Sequence, residues 1–174
     1  MPLRPAHCYR EVRGPAYARK EYIHGIPQPK ITKFTMGNSK AAFPLTIQLI
    51  AKEPAQIRHN ALEAMRVICS KYLASNLGES NYFLKIHPYP HHVLRENKMM
   101  AFAGADRLQD GMRLAFGDPV GTAARVKVGD VIMTIKVPAD KLDVAKEAAK
   151  RAASKLPVPC EIKVLSSNGS SLSA

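Results

Sequence analysis

The segment HPYPHH brings three histidines close together, His87, His91 and His92. Imidazole nitrogens at such spacing can bind zinc or copper. The segment holds no cysteine or acidic residue that would complete a site, and its prolines stiffen the turn. Because histidines beside a basic surface also contact phosphate readily, we predict no metal site here.

Two aspartates four residues apart, Asp106 and Asp110, have the side chains needed for a general acid and a general base. Arg107 and Arg113 lie beside them, and a neighbouring arginine lowers the pKa of a carboxyl group, which opposes general-acid behaviour. We expect these aspartates to orient the arginines, and the residue order indicates no Ser, His and Asp triad. The sequence therefore predicts no enzyme, no catalytic residue and no cofactor.

The stretch AGADRLQDGMRLAFGDPVGTAARVKVG, residues 103–129, holds five glycines, three arginines and one lysine. Its glycine spacing fits neither a P-loop nor the GxGxxG pattern, and it leads into strands rather than a helix. Glycines let a backbone approach a crowded partner, and arginines grip phosphates and stack on bases. We predict a cationic loop that a partner orders.

The chain is strongly basic, with 26 Lys and Arg against 14 Asp and Glu and a net charge of +12. Such a surplus favours a polyanionic partner, most often nucleic acid. Residues 1–40 carry eight Lys or Arg and two Glu, and Tyr9, Tyr17 and Tyr22 lie among them. These tyrosines are predicted to stack on unpaired RNA bases. The alternative is a solvated tail whose tyrosines fold back on the domain.

The cysteine pattern indicates a reducing compartment. Cys8, Cys69 and Cys160 are odd in number and far apart, so free thiols are expected. The N-terminus has no apolar signal region, and no apolar run approaches the roughly 20 residues needed to span a bilayer. We predict a cytoplasmic protein without membrane contact.

Hydrophobic periodicity predicts the order strand, strand, helix, two strands, loop, two strands, helix, strand. Pro54 suits the first turn of the first helix, which ends near Gly78, and Pro138 opens the second helix, which Pro157 stops. The predicted strands are 30–36, 45–51, 82–87, 92–98, 124–129, 130–137 and 160–164.

This order predicts an α+β fold, a two-layer sandwich of mostly antiparallel sheet with two helices. Residues 1–28, which contain four prolines and no apolar period, are predicted to form an extended basic arm. Residues 29–165 would form one domain with an internal loop at about 100–116. The serine-rich residues 166–174 are predicted to be a disordered tail.

The run GADRLQDGMRLAFGDPVGTAARV closely resembles the signature of the universal large-subunit ribosomal protein L-sixteen family, in its archaeal and eukaryotic L-ten-e form. The segments RPAHCYR, GIPQPKI, ALEAMRVICSKY and HVLRENKMM resemble the same family in the same order, so the match runs from residue 4 to about 164. The resemblance implies an α/β-hammerhead fold, and the short serine-rich tail favours an archaeal member.

The resemblance also implies a structural role in the large ribosomal subunit, near the site of tRNA accommodation and the peptidyl-transferase centre. Implied partners are 23S-type rRNA, with 5S rRNA as a further candidate, tRNA, neighbouring ribosomal proteins and subunit assembly factors. The internal loop is expected to reach toward the peptidyl-transferase centre through Gly104, Asp106, Arg107, Gly111, Met112 and Arg113. The expected rRNA-binding residues are Arg4, His7, Arg10, Arg13, Arg19, Lys20, Lys30, Arg95, Lys98, Arg125 and Lys127.

Two alternatives remain open at this point. One is an RNA-processing enzyme that would use His87, His91 or His92 with an aspartate. The other is a free-standing RNA-binding regulator, which would not be stoichiometric with ribosomes.

Overall fold

The computed structural model describes residues 4–97, 117–166 and 171–172, which contain nine β-strands and two α-helices. The strands are β1 (Thr35–Gly37), β2 (Leu45–Ala51), β3 (Ala55–Arg58), β4 (Phe83–Ile86), β5 (His92–Glu96), β6 (Asp118–Val126), β7 (Val131–Val137), β8 (Cys160–Ser166) and β9 (Ser171–Leu172). The helices are α1 (His59–Leu77) and α2 (Leu142–Ala153). Single turns of 3-10 helix lie at Ala6–Tyr9, Lys20–Tyr22, Glu79–Asn81 and Ala139–Lys141.

The strands form two antiparallel sheets. The larger has six strands in the order β1-β4-β7-β2-β8-β9, and the smaller has three in the order β3-β6-β5. Both helices pack against this framework and against each other. The predicted α+β sandwich is therefore confirmed.

Alternation along β2 explains which face of the larger sheet is buried. Ile47, Leu49 and Ala51 are buried on one face, while Gln48 between them is only partly buried on the other. Successive strand residues point to opposite faces, so this strand separates core from surface with a period of two. The buried face meets Ala148 and its neighbours on α2.

The two helices bury stripes that recur every three or four residues. On α1 the buried residues are Leu62, Met65, Cys69 and Leu73, and on α2 they are Ala145, Ala148, Ala149 and Ala152. Alanines give α2 a narrow apolar face, so its backbone can lie close to the sheet. Helix α1 ends at Leu77 and is capped by Gly78, whose φ of +80° suits a residue without a side chain. No helix within the described ranges is long and apolar enough to cross a membrane.

The expected helix start at Pro54 is wrong. Residues Ala55–Arg58 form strand β3, and α1 begins only at His59. The buried residues Ala55 and Ile57 alternate with Gln56 and Arg58, whose side chains face the other side of the smaller sheet. The strand-like alternation covers only four residues, and the longer helical pattern that follows it led to the prediction of one continuous helix.

Several further details differ from the sequence prediction. Strand β1 begins at Thr35 rather than residue 30, and β6 begins at Asp118 rather than residue 124. Pro119 lies within β6 beside a register shift on β5, where a residue without an N–H is tolerated. Within the predicted tail, Ser171–Leu172 pairs with β8 as strand β9.

Candidate nucleic-acid interface

The N-terminal arm crosses the three-stranded sheet on the face that points away from the core. At the β3 edge, Gln56 N donates to the carbonyl oxygen of Arg10 at 2.9 Å. At the β5 edge, Val93 N donates to the carbonyl oxygen of Tyr17 at 2.8 Å. The chain between these two bonds is therefore held across all three strands.

Arg125 fixes the middle of this crossing. Its Nη1 donates to the carbonyl oxygen of Gly14 at 2.7 Å, and its Nη2 donates to that of Arg13 at 3.3 Å. Gly14 has a φ of +58°, a conformation that glycine adopts without strain. Arg125 belongs to β6, the central strand, so its guanidinium contacts the arm at the middle of the sheet.

Strand alternation explains why these side chains face the arm. Gln56 pairs in register with Arg125 on this face of the sheet. On the other face Ile57, Ala124 and Val126 are buried in the core. Because residues alternate between the two faces, the apolar ones pack in the core and the polar ones contact the arm.

His92 joins the arm to β5 in its neutral form. Its Nδ1 accepts a hydrogen bond of 2.9 Å from Tyr17 N. Burial, followed by the nearby charges of Arg125, His91 and Arg95, lowers the pKa of His92 to about 4. A protonated ring could not accept at Nδ1, so the low pKa and the hydrogen bond support the same neutral state.

Three cations lie over tyrosine rings in this region. Arg95 is 4.7 Å from the Tyr17 ring centre, Arg58 is 5.6 Å from Tyr9, and Lys20 is 5.8 Å from Tyr89. Such distances are typical of cation–π contacts. Tyr9 and Tyr17 thus fold back on the protein, as the alternative reading of the arm expected.

Tyr22 differs from the other two arm tyrosines, because 72% of its surface is exposed. It lies at the end of the 3-10 turn Lys20–Tyr22. Its ring is therefore accessible for stacking on an unpaired base.

A groove of about 630 Å³ lies between the arm and the three-stranded sheet. The sequence-predicted cations that line it are Arg4, His7, Arg13, Arg95 and Arg125. The structure therefore brings together residues that are far apart in the sequence. Glu96 and Asn97 line the groove where β5 ends.

Carboxylates pair with several of the predicted rRNA-binding arginines. Arg4 forms an ion pair with Glu96, Arg10 with Glu53 and Arg13 with Glu11. Glu96 also accepts a hydrogen bond of 3.2 Å from the Tyr9 hydroxyl. Burial, followed by the charge of Glu96, raises the pKa of Tyr9. Exposed ion pairs of this kind contribute little stability in water, so a phosphate can compete for the arginines.

The remaining predicted cations lie away from the groove or outside the described residues. Arg19, Lys20, Lys30 and Lys127 are exposed. Lys30 contacts the start of α1 through its backbone N, which donates to His59 Nδ1 at 2.9 Å. Lys98 and the predicted loop residues Gly104, Asp106, Arg107, Gly111, Met112 and Arg113 lie outside the described residues.

The three clustered histidines each bond to a protein atom. His87 Nε2 lies 2.8 Å from Thr134 Oγ1, and His91 Nδ1 lies 3.0 Å from its Tyr89 carbonyl partner. His92 Nδ1 is occupied by Tyr17 N. Over residues 4–97, 117–166 and 171–172, no three His, Cys, Asp or Glu side chains are grouped closely enough to hold a metal ion.

Sequence reasoning missed Gln56 and Glu96, which line the groove, and Arg58, which holds the arm. Gln56 Nε2 donates to the carbonyl oxygen of Glu11, and Arg58 Nη1 donates to that of Arg4 at 2.8 Å. The alternation of Ala55 to Arg58 was the available signal, since it places both polar side chains on one face. No local signal identifies Glu96 as the partner of Arg4.

Comparison with known proteins gives collinear matches over nearly the whole chain. The family model described as ribosomal protein L16p/L10e matches residues 12–163. The chain is 62% identical over 162 residues to the large ribosomal subunit protein uL16 of Staphylothermus marinus, with 93% of each chain covered. It is 61% identical over 167 residues to the protein of that name from Metallosphaera sedula, with 95% of each covered. For the Sulfolobus acidocaldarius protein the identity is 59% over 170 residues, with 97% of each covered.

Proposed function

The chain belongs to the ribosomal protein L16p/L10e family as a large-subunit ribosomal protein, and we propose that its groove and arm bind rRNA near the tRNA accommodation site and the peptidyl-transferase centre. In this role it supports translation and maturation of the subunit without catalytic chemistry of its own. Its location is the large ribosomal subunit in the cytoplasm.

The observation that carries the proposal is the groove between arm and sheet. Six arginine or histidine side chains line it, and they come from both the arm and the strands. The paired carboxylates Glu11 and Glu96 hold arginines in place while leaving them partly exposed. Arginine forks match phosphate oxygens, so an RNA backbone can replace these carboxylates.

Beyond the arginines paired with carboxylates, two roles are proposed for the predicted cations. His7, Arg19, Lys20, Lys30 and Lys127 are exposed and contact phosphates directly. Arg125 acts through the arm, because its guanidinium already donates to two arm carbonyl oxygens. The assignment of residues 1–28 as the arm, 29–165 as one domain and 166–174 as a tail stays part of this proposal.

The internal loop at about 100–116 is proposed to reach toward the peptidyl-transferase centre and tRNA. Support comes from the strands that flank it, since Glu96 at the end of β5 pairs with Asp118 at the start of β6. The connecting segment therefore leaves and re-enters the sheet at one point, beside the groove. Lys98 and the loop residues named above would meet RNA beyond that point.

The proposed partners follow from the same role. They are 23S-type rRNA, with 5S rRNA as a further candidate, neighbouring large-subunit proteins, tRNA and subunit assembly factors. The enzyme alternative gains no support from the contacts described for the histidines, because these contacts are with Tyr17 N, Thr134 Oγ1 and the Tyr89 carbonyl oxygen rather than with an aspartate.

The test measures binding of the full chain to a transcript of Sulfolobus acidocaldarius large-subunit rRNA over a series of salt concentrations. Arg4→Gln with Arg13→Gln should reduce the slope of log affinity against log salt by about 1.4–1.8, at 0.7–0.9 for each lost phosphate contact. The matched control, Lys141→Gln with Lys155→Gln, removes the same charge from outside the groove and should have a smaller effect. Salt-insensitive binding of the unaltered chain would contradict the proposal.

A sucrose gradient of cell lysate tests the ribosomal role independently. About one copy per large subunit, retained after a moderate salt wash, is the expected result. A peak at the top of the gradient would instead favour the free-standing regulator.

A further inference from the structure

The six-stranded sheet has a second face, opposite its buried face, that the groove does not use. We call this the outer sheet face and define it by two rows of residues that cross the strands. The first row is Lys85, Thr134, Gln48 and Lys163, which pair in register across β4, β7, β2 and β8. The second row is Phe83, Lys136, Thr46 and Leu165 on the same strands.

The residues between these rows point into the core, and the residues of the outer sheet face are exposed or partly exposed except Thr134. Thr134 is buried, and its Oγ1 lies 2.8 Å from His87 Nε2. Leu84, Ile135, Ile47 and Val164 pair in register and are all buried. Helix α2 packs against that buried side. Lys85, Lys136 and Lys163 are exposed on the other.

The charge on the outer sheet face is positive. Neither row contains a carboxylate, and among the ion pairs of the described residues none uses its three lysines. The acidic residue on this face is Glu161, one row further along, opposite Ile50. The three exposed lysines therefore act as an excess of charge over this part of the sheet.

Two of these lysines repel each other. Lys85 and Lys136 are diagonal neighbours on adjacent strands, a relationship that places their backbone positions about 7–8 Å apart. This separation is within the Debye length of about 8 Å at physiological salt, so the repulsion is not fully screened. Burial and the charge of Lys85 also lower the pKa of His87 beside them. A polyanion on this face would relieve each of these unfavourable interactions.

The side chains of the outer sheet face suit a sugar–phosphate backbone better than bases. The Thr46 hydroxyl and the Gln48 amide, which are partly exposed, can pair with 2′-hydroxyl and phosphate oxygens, and lysine ammonium groups act as point charges. Phe83 is partly buried, and Lys136 Nζ lies 5.8 Å from its ring centre. A row of accessible aromatic rings, which single-stranded recognition on a sheet requires, is not present in these two rows.

We propose that the outer sheet face binds the backbone of a second, double-helical RNA segment, distinct from the one bound in the groove. The inference rests on the proposed function, since it takes rRNA as the partner. The first row spans three strand spacings of about 4.8 Å, or roughly 14 Å between Lys85 and Lys163. Their two ends can thus contact separate phosphates of one duplex, and the chain links two segments of rRNA.

The experiment compares the unaltered full chain with three variants by hydroxyl-radical footprinting on the Sulfolobus acidocaldarius large-subunit rRNA transcript. One carries Lys85→Gln, Lys136→Gln and Lys163→Gln. The matched control carries Lys71→Gln, Lys150→Gln and Lys155→Gln, which remove the same charge from exposed positions on α1, on α2 and just after α2. A third form with Lys→Arg at the three face positions keeps the charge, and thermal unfolding checks that all forms are folded.

The unaltered chain should protect two separate rRNA segments. The face variant should lose one of them, keep the other, and lower the salt slope by about 2–2.7, while the arginine form retains both. Two protected segments with the face variant, or equal losses with the control, would overturn this inference and leave the groove proposal standing. No protection by the unaltered chain would overturn the proposed function itself.

Discussion

Arg125 Nη1 donates to the carbonyl oxygen of Gly14 at 2.7 Å, across 111 residues of sequence. A basic residue that sequence reasoning assigns to RNA thus binds the protein's own backbone. Its positive charge still lies in the groove, but its guanidinium hydrogen bonds hold the arm in position. Predictions about rRNA binding therefore have to separate contact residues from residues that position the arm.

Replacing Arg125 with Gln should loosen the arm without unfolding the domain. Two hydrogen bonds to arm carbonyl oxygens disappear, and such bonds to charged donors contribute about 1.5–3 kcal/mol each when buried and less here, where Arg125 is partly exposed. Amide hydrogen exchange should accelerate at Val93 and Gln56, whose N–H groups donate to the arm. Arg125→Lys keeps the charge and should show the same faster exchange, whereas unchanged exchange in both variants would contradict the positioning role.

His92 should make the stability of the protein depend on pH. Its folded pKa of about 4 is below the ordinary value of 6.5, so the unfolded chain binds the proton more tightly. The free energy of unfolding should therefore fall as the pH decreases from about 6.5 to about 4. Above that pH range the His92 ring is neutral in both the folded and the unfolded chain, so it adds no pH dependence to the free energy of unfolding.

The check on His92 is a pH series of denaturant unfolding curves. His59 and His87 also have lowered pKa values, so the difference between proteins is the informative quantity. His92→Asn retains an acceptor near the position of Nδ1 and should flatten the slope in the acidic window. Identical slopes for both proteins would mean that His92 does not carry this effect.

Regular periodicity explains how much of this fold was predictable. The faces of β2, α1 and α2 follow from apolar spacing, because burial of one face is a local property of the sequence. Strand β3 was missed because four alternating residues directly precede a long helical pattern and follow Pro54. The start of β6 was missed because Pro119 and Gly121 resemble loop residues.

The candidate site was predictable in composition but not in pairing. The basic arm was evident from residues 1–40, whereas its path across the smaller sheet depends on contacts between distant residues. The ion pair of Arg4 with Glu96 spans 92 residues. Such pairs of distant residues can be identified only from the three-dimensional structure. The same is true of the rows of residues on the outer sheet face.

Tyr22 should contribute to rRNA affinity by stacking, because its ring is 72% exposed. Tyr22→Ala should weaken binding by about 1–3 kcal/mol, the range for loss of one base–aromatic stack. Tyr22→Phe retains the ring and should bind almost as the unaltered chain does. Filter binding at constant salt measures both, and equal losses in Ala and Phe variants would exclude stacking.

Gly37 should tolerate no side chain. A Cβ atom there would lie 2.2 Å from the carbonyl oxygen of Tyr82, and its φ is +79°. That carbonyl also accepts from Asn38 N at 2.9 Å, so it cannot move without losing a hydrogen bond. Gly37→Ala should therefore lower the free energy of unfolding by more than backbone strain alone.

Gly129→Ala provides the control for this comparison. Gly129 has a φ of +87° but nothing within 4 Å of the added Cβ, so its cost should be limited to the conformational penalty of about 1–2 kcal/mol. Urea unfolding of both variants measures the difference. If Gly37→Ala lowers the free energy of unfolding no more than Gly129→Ala does, the close approach of Gly37 to Tyr82 does not constrain this position.

Replacing residues 103–113 with a short Gly-Ser linker should leave the fold intact and impair the ribosome. The flanking strands β5 and β6 pair through Glu96 and Asp118, so a short linker can close the connection. Cooperative thermal unfolding of the purified variant should therefore persist. In cells that carry only this form, sucrose gradients should show fewer mature large subunits or slower translation. Loss of cooperative unfolding would mean that the segment belongs to the core, whereas normal subunits and normal translation would remove the loop from the proposed function.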